Sequence, residues 1–195
     1  MGDAVFLDAG AHAVIEREAL KRRVRETGGS LFGWEADDDV VVACATGPGP
    51  GAEHHPRSFR LAPAAVAAAM ARVLEVSEGR YGYIGSWHTH PFGTARPSSV
   101  DSGTAKAMAR QEDLVLPRPL LFIVSTTGTK RSVQVRELAA WLWMASQEKL
   151  AKVPVDVIEL SERYCPAAEL LYAGCRNETC AAGDRCSHFA GPVAT

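Results

Sequence analysis

Gly85-Ser86-Trp87-His88-Thr89-His90-Pro91, followed by Pro97-Ser98-Ser99-Val100-Asp101, is the stretch on which the reading of this chain turns. Tyr81 to His90 reads as a buried strand, and Pro91 ends it by removing a backbone donor. Side chains alternate along a strand, so His88 and His90 project to one face and their imidazoles can converge. Trp87 and Thr89 face the other way, and Trp87 is read as core. Asp101 falls in the first turn of a helix expected from about Ser99 to Gln111. The positive end of that helix favours an ionised carboxylate. Taken alone, Ser98 and Asp101 make an ordinary helix N-cap pattern.

Working outward, an apolar start at Val5-Phe6-Leu7 precedes a helical pattern from about Ala11 to Arg25, stopped by Gly28-Gly29. Ser30 to Trp34 and Val40 to Ala45 read as strands around an Asp37-Asp38-Asp39 turn, whose acids are taken as solvated turn residues. A Gly/Pro-rich loop runs from Gly47 to Pro56. Leu61 to Glu78 is an Ala-rich helix with Pro63 in its first turn. Leu120 to Val124, Ser132 to Trp143 and Val153 to Leu160 are further strand candidates. Helices and strands intermix, which implies an α/β (α+β) sandwich with a mixed central sheet flanked by helices.

The length of 195 residues suits one domain, placed at residues 1–160, with residues 161–195 as an appendage. That tail holds four of the five cysteines, Cys165, Cys175, Cys180 and Cys186, with His188 close behind. Their spacing is looser than a Cys-x-x-Cys knuckle, so they form a candidate second, structural zinc site or a partner-binding module. With a formal net charge of -2 there is no basic excess to neutralise phosphates, which argues against nucleic acid as a partner. The N-terminus lacks the basic start and apolar run of a signal peptide, and no apolar run reaches the ~18 residues that span a bilayer. A cytoplasmic protein with no membrane partner is expected, its cysteines reduced or metal-bound.

Two histidines and one aspartate give a tetrahedral metal one open position, the ligand count of a catalytic zinc site. Hydrolysis also needs a proton acceptor that later donates to the leaving amine. Glu26 is the candidate, at the end of the first helix and directly before Thr27-Gly28-Gly29. Ser98 is the candidate donor to a developing oxyanion. His54 and His55 are read as surface histidines of a loop. That loop, from Gly47 to Arg60, and the segment from Glu112 to Pro119 are candidate substrate-guiding flaps.

These motifs resemble the JAMM (MPN-type) metalloprotease family. Its pattern is a distant glutamate, then His-x-His, a spacer beginning with Pro, and Ser-x-x-Asp. Ser98 lies eight positions after His90 and Asp101 eleven, in agreement with that spacing. Glu26-Thr27-Gly28-Gly29-Ser30-Leu31-Phe32-Gly33 resembles the Glu-Thr-Gly-Gly-x-Leu-x-Gly of bacterial members. Ala45 to Pro50 and Tyr83 to Trp87 fit them as well, so the likeness covers about residues 5 to 160. The resemblance implies a JAMM/cytidine-deaminase-like architecture, with zinc on His88, His90 and Asp101, Glu26 as general base and acid, and Ser98 as oxyanion donor. It further implies an isopeptidase acting on a ubiquitin-like protein or its conjugate. Ubiquitin-activating or -conjugating-like enzymes are the expected partners, in antiviral defence or sulfur-carrier pathways. Two alternatives stand beside it: a zinc peptidase trimming a small C-terminal adduct from a sulfur-carrier protein, and a non-catalytic, metal-stabilised scaffold.

Overall fold

The computed structural model describes residues 3–114 and 116–160. In chain order its elements are β1 (Val5–Asp8), α1 (Ala9–Lys21), β2 (Gly28–Ala36), β3 (Asp39–Ala45), β4 (Glu53–His55), β5 (Ser58–Arg60) and α2 (Pro63–Val76). There follow β6 (Gly82–His90), α3 (Ser99–Ala109), β7 (Leu120–Thr129), β8 (Ser132–Met144), β9 (Lys149–Val153) and β10 (Val155–Ile158). Eight strands form one mixed sheet in the order β10-β1-β3-β2-β6-β7-β8-β9, and β4 pairs with β5 apart from it. The pairs β1–β10, β1–β3 and β6–β7 are parallel. This is the expected mixed α+β architecture.

β9 and β10 occupy opposite edges of that sheet, yet only Pro154 separates them in sequence. Two residues of extended chain span roughly 7 Å, so the edges must come together there and the sheet must curl. Helix α1 lies inside the curl. Its Ala11, Val14, Ile15 and Ala19 join Val5, Leu7, Leu31, Val42, Trp87, Phe122 and Leu142 in one buried cluster. On the other face, α2 packs Ala69 and Val73 against Phe32, Ala43 and Tyr81.

Three boundaries differ from the sequence reading. Asp8 caps α1 by accepting from Gly10 N at 2.8 Å and Ala11 N at 3.3 Å, so the helix starts earlier than Ala11. It also stops at Lys21, because Arg22 to Arg25 are exposed and Val24 finds no apolar surface to cover. Glu26 therefore sits in a connector and not at a helix end. Second, the Gly/Pro-rich loop contains the β4–β5 hairpin. Third, the strand expected from Val153 to Leu160 is the shorter β10, and Val153 instead closes a separate strand, β9, that Pro154, with no N–H to give, divides from it.

β6 contains a bulge. Leu31 pairs with Gly85 while Phe32 pairs with Tyr83, so β6 spends one extra residue there. Gly85 has φ 152°, and a Cβ on it would lie 1.9 Å from the carbonyl oxygen of Leu120. Only glycine fits. The bulge lets Ile84 and Trp87, three positions apart, enter the same core as α1. His88 and His90 are thereby turned to the opposite face.

Candidate metal centre

β6 carries both histidines to the rim of the sheet, as expected from the alternation. Trp87 is fully buried behind them and donates its Nε1–H to Thr46 O at 2.7 Å. The Nε2 atoms of His88 and His90 lie 3.0 Å apart. Asp101 approaches from the first turn of α3, with Oδ1 3.3 Å from His88 Nε2 and Oδ2 3.8 Å from His90 Nε2. One ligand atom from each residue falls within 4.8 Å of the other two, so among the described residues this group could hold a metal ion. The side chains of His88, His90 and Asp101 are only 12%, 18% and 13% exposed, enough for access from one side.

The donor set fits a divalent metal such as zinc. His90 Nδ1, carrying the ring proton, donates to Thr94 O at 2.9 Å, which leaves its Nε2 with a free lone pair. Burial pushes the His88 pKa down to about 4, against the opposing pull of Asp101, so its imidazole is neutral at pH 7. Two imidazole Nε2 atoms facing each other beside a carboxylate make a donor set suited to a metal.

Ser98 anchors the third ligand. Its backbone N–H and its hydroxyl both donate to Asp101 Oδ2 at 2.6 Å, and Asp101 N donates back to Ser98 Oγ at 3.2 Å. The N-cap reading and the ligand reading thus hold together: the capping box orients the carboxylate with Oδ1 towards His88.

Glu26 reaches the same rim by a different route. Thr27 N donates to Thr89 Oγ1 at 2.9 Å, and Thr89 N donates to Thr27 O at 2.7 Å. These bonds extend the register Gly28↔His88, which sets Glu26 opposite His90 and on the histidine face. Burial raises the Glu26 pKa, offset in part by His90 and reinforced by Asp101, both within electrostatic reach. The five residues singled out in the sequence therefore gather at one place.

Several contributors were not foreseen. Thr27 and Thr94 act through backbone groups, whereas Thr89 uses both its hydroxyl and its backbone N–H. Ser125 pairs in register with His90, and its buried hydroxyl has no hydrogen-bond partner among the described residues. His54, expected on a mobile surface loop, is half-buried in the hairpin. Its Nδ1–H donates to Glu26 O at 2.8 Å, and burial lowers its pKa, with Arg22 and Arg25 adding to the effect. Cys44 is buried in β3. The candidate second zinc site, Cys165, Cys175, Cys180, Cys186 and His188, lies outside the described residues. No helix among those described is long and apolar enough to cross a membrane.

A mixed α+β sheet presenting two histidines and an aspartate at one strand rim is the arrangement of a JAMM/MPN-type domain. The chain belongs to the family of prokaryotic homologs of the JAB domain, whose model matches residues 8–142. Its fold is similar to the solution structure of protein DSY2949 from Desulfitobacterium hafniense, with a TM-score of 0.61 and 18% sequence identity. That likeness covers 81% of this chain and 95% of that one. Comparison with curated proteins finds no match.

Proposed function

We propose that the chain is a zinc-dependent peptidase that cleaves the amide or isopeptide bond at the C-terminal tail of a ubiquitin-like protein. The observation that carries the chemistry is the convergence of Glu26 on the rim that holds His88, His90 and Asp101. Bound zinc would polarise the scissile carbonyl and lower the pKa of the attacking water. Glu26 takes the proton of that water and passes it to the leaving nitrogen. Its burial brings its pKa closer to neutrality, where a carboxylate serves better as base and then as acid. Ser98, whose hydroxyl donates to Asp101 Oδ2 in the structure, would donate to the carbonyl oxygen as it gains charge.

The substrate class rests on the family. A ubiquitin-like tail ends in small, extended residues that need a narrow approach to the metal, and activating or conjugating-like enzymes are the natural partners of such a substrate. Cleavage of a ubiquitin-like fusion, with and without a zinc chelator, tests the reading. Chelation should abolish turnover, and Glu26→Gln should lower kcat by about 10^2- to 10^4-fold while zinc content stays the same. Full turnover in either case would sink the mechanism. Turnover confined to small C-terminal adducts would replace the isopeptidase with a trimming enzyme.

A further inference from the structure

We propose that the β4–β5 hairpin, acting through His54, is a positioning device for Glu26; this rests on Glu26 being the proton carrier of the proposed reaction. Glu26 belongs to no helix or strand. It follows four exposed residues, Arg22 to Arg25, and precedes the first residue of β2 by two positions. A connector of that kind holds a side chain poorly unless its backbone is tied to something rigid.

The hairpin supplies that tie on both sides of the residue. Glu26 N donates to His55 O at 2.8 Å, and His54 Nδ1–H donates to Glu26 O at 2.8 Å. Arg25 adds a third bond, from Nη1 to His54 O at 3.0 Å. The backbone donor and acceptor of Glu26 are both committed to two adjacent histidine residues. The hairpin is itself docked flush on β2: a Cβ at Gly28 would lie 2.6 Å from Phe59 Cε1 and 2.1 Å from Trp87 O. The rings of His54 and Phe59 stack at a tilt, 5.3 Å between centroids. Beyond Glu26, the Thr27–Thr89 bonds fasten the chain to β6. The proton carrier is therefore suspended between the histidine strand on one side and the hairpin on the other.

Small displacements of a catalytic group carry large rate costs, and His54 is the member of this clamp whose side chain bonds Glu26 itself. Two variants separate its donor from its packing. His54→Phe keeps a ring against Phe59 and removes the N–H. His54→Asn places an amide N–H where Nδ1 stood and removes the ring. In the zinc-loaded full-length protein, His54→Phe should lower kcat about tenfold with KM and zinc content within twofold of the parent. Hydrogen exchange of the peptide spanning residues 22–30 should quicken in the same variant. His54→Asn should recover most of both. Unchanged exchange in His54→Phe, a loss confined to KM or zinc content, or a loss that His54→Asn fails to recover would each overturn the clamp. Absence of chelator-sensitive turnover in the parent would strike at the peptidase reading instead, and the exchange measurement would still decide the clamp.

Discussion

Ser98 has one hydroxyl proton and two uses for it. In the structure that proton goes to Asp101 Oδ2, completing the capping box of α3 and fixing the carboxylate. In the proposed reaction it goes to an oxyanion. Ser98→Ala should therefore fail in three separable ways. Loss of the cap should cost about 1 kcal/mol of stability in a urea titration. Loss of the bond that orients Asp101 should weaken zinc binding about tenfold by competition with a chromogenic chelator. Loss of the oxyanion donor should reduce kcat by about 10^2-fold at saturating zinc. Ser98→Thr, which keeps the hydroxyl, should retain most of all three. A kcat unchanged in the alanine variant would remove Ser98 from the chemistry. At this scale the sequence was most readable, because spacing alone puts His88, His90 and Asp101 within reach of one another. Thr94 was not readable, since any residue type can offer a carbonyl.

At the scale of elements, the centre depends on how β6 is built. Gly85 occupies a left-handed backbone position against Leu120 O. Gly85→Ala should destabilise the fold by at least about 2 kcal/mol, measured by denaturant unfolding, and should lower the zinc bound per folded molecule. An unperturbed midpoint with full zinc content would contradict that role. Strong periodic elements were legible from sequence: α2 from its alanines, β7 from its apolar run. The β4–β5 hairpin was not, because Glu-His-His and Ser-Phe-Arg are too short and too polar to show an alternation. The end of α1 was misplaced because Val24 fits a helical spacing but is exposed in the connector. The glycine inside β6 did carry a bulge signal, although neither side of the bulge announces the consequence.

For the whole molecule, stability and metal binding are joined by pH. Folded His88 stays neutral down to about pH 4, whereas an unfolded histidine takes a proton near 6.5. Between those values the unfolded chain binds more protons, so stability of the metal-free protein should fall as pH drops, by up to about 3 kcal/mol. His88→Gln should flatten that slope in a series of chemical melts. Zinc at about a thousandfold above its Kd should add about 4 kcal/mol at pH 7, read as a rise in Tm, and lose that effect towards pH 4 as protons compete. The curl of the sheet was legible only as a mixed sheet. Its closure is set by Pro154, whose neighbours lie at opposite edges. The extra residue at Ile84–Gly85 has a wider consequence. A strand encodes its facing as parity, and one added residue inverts every position downstream of it. A homologous chain that lost the insertion would keep every letter of the His-x-His-Pro signature and still match a motif search. It would point tryptophan at the solvent and both imidazoles at the core, an intact inscription on a domain unable to hold an ion.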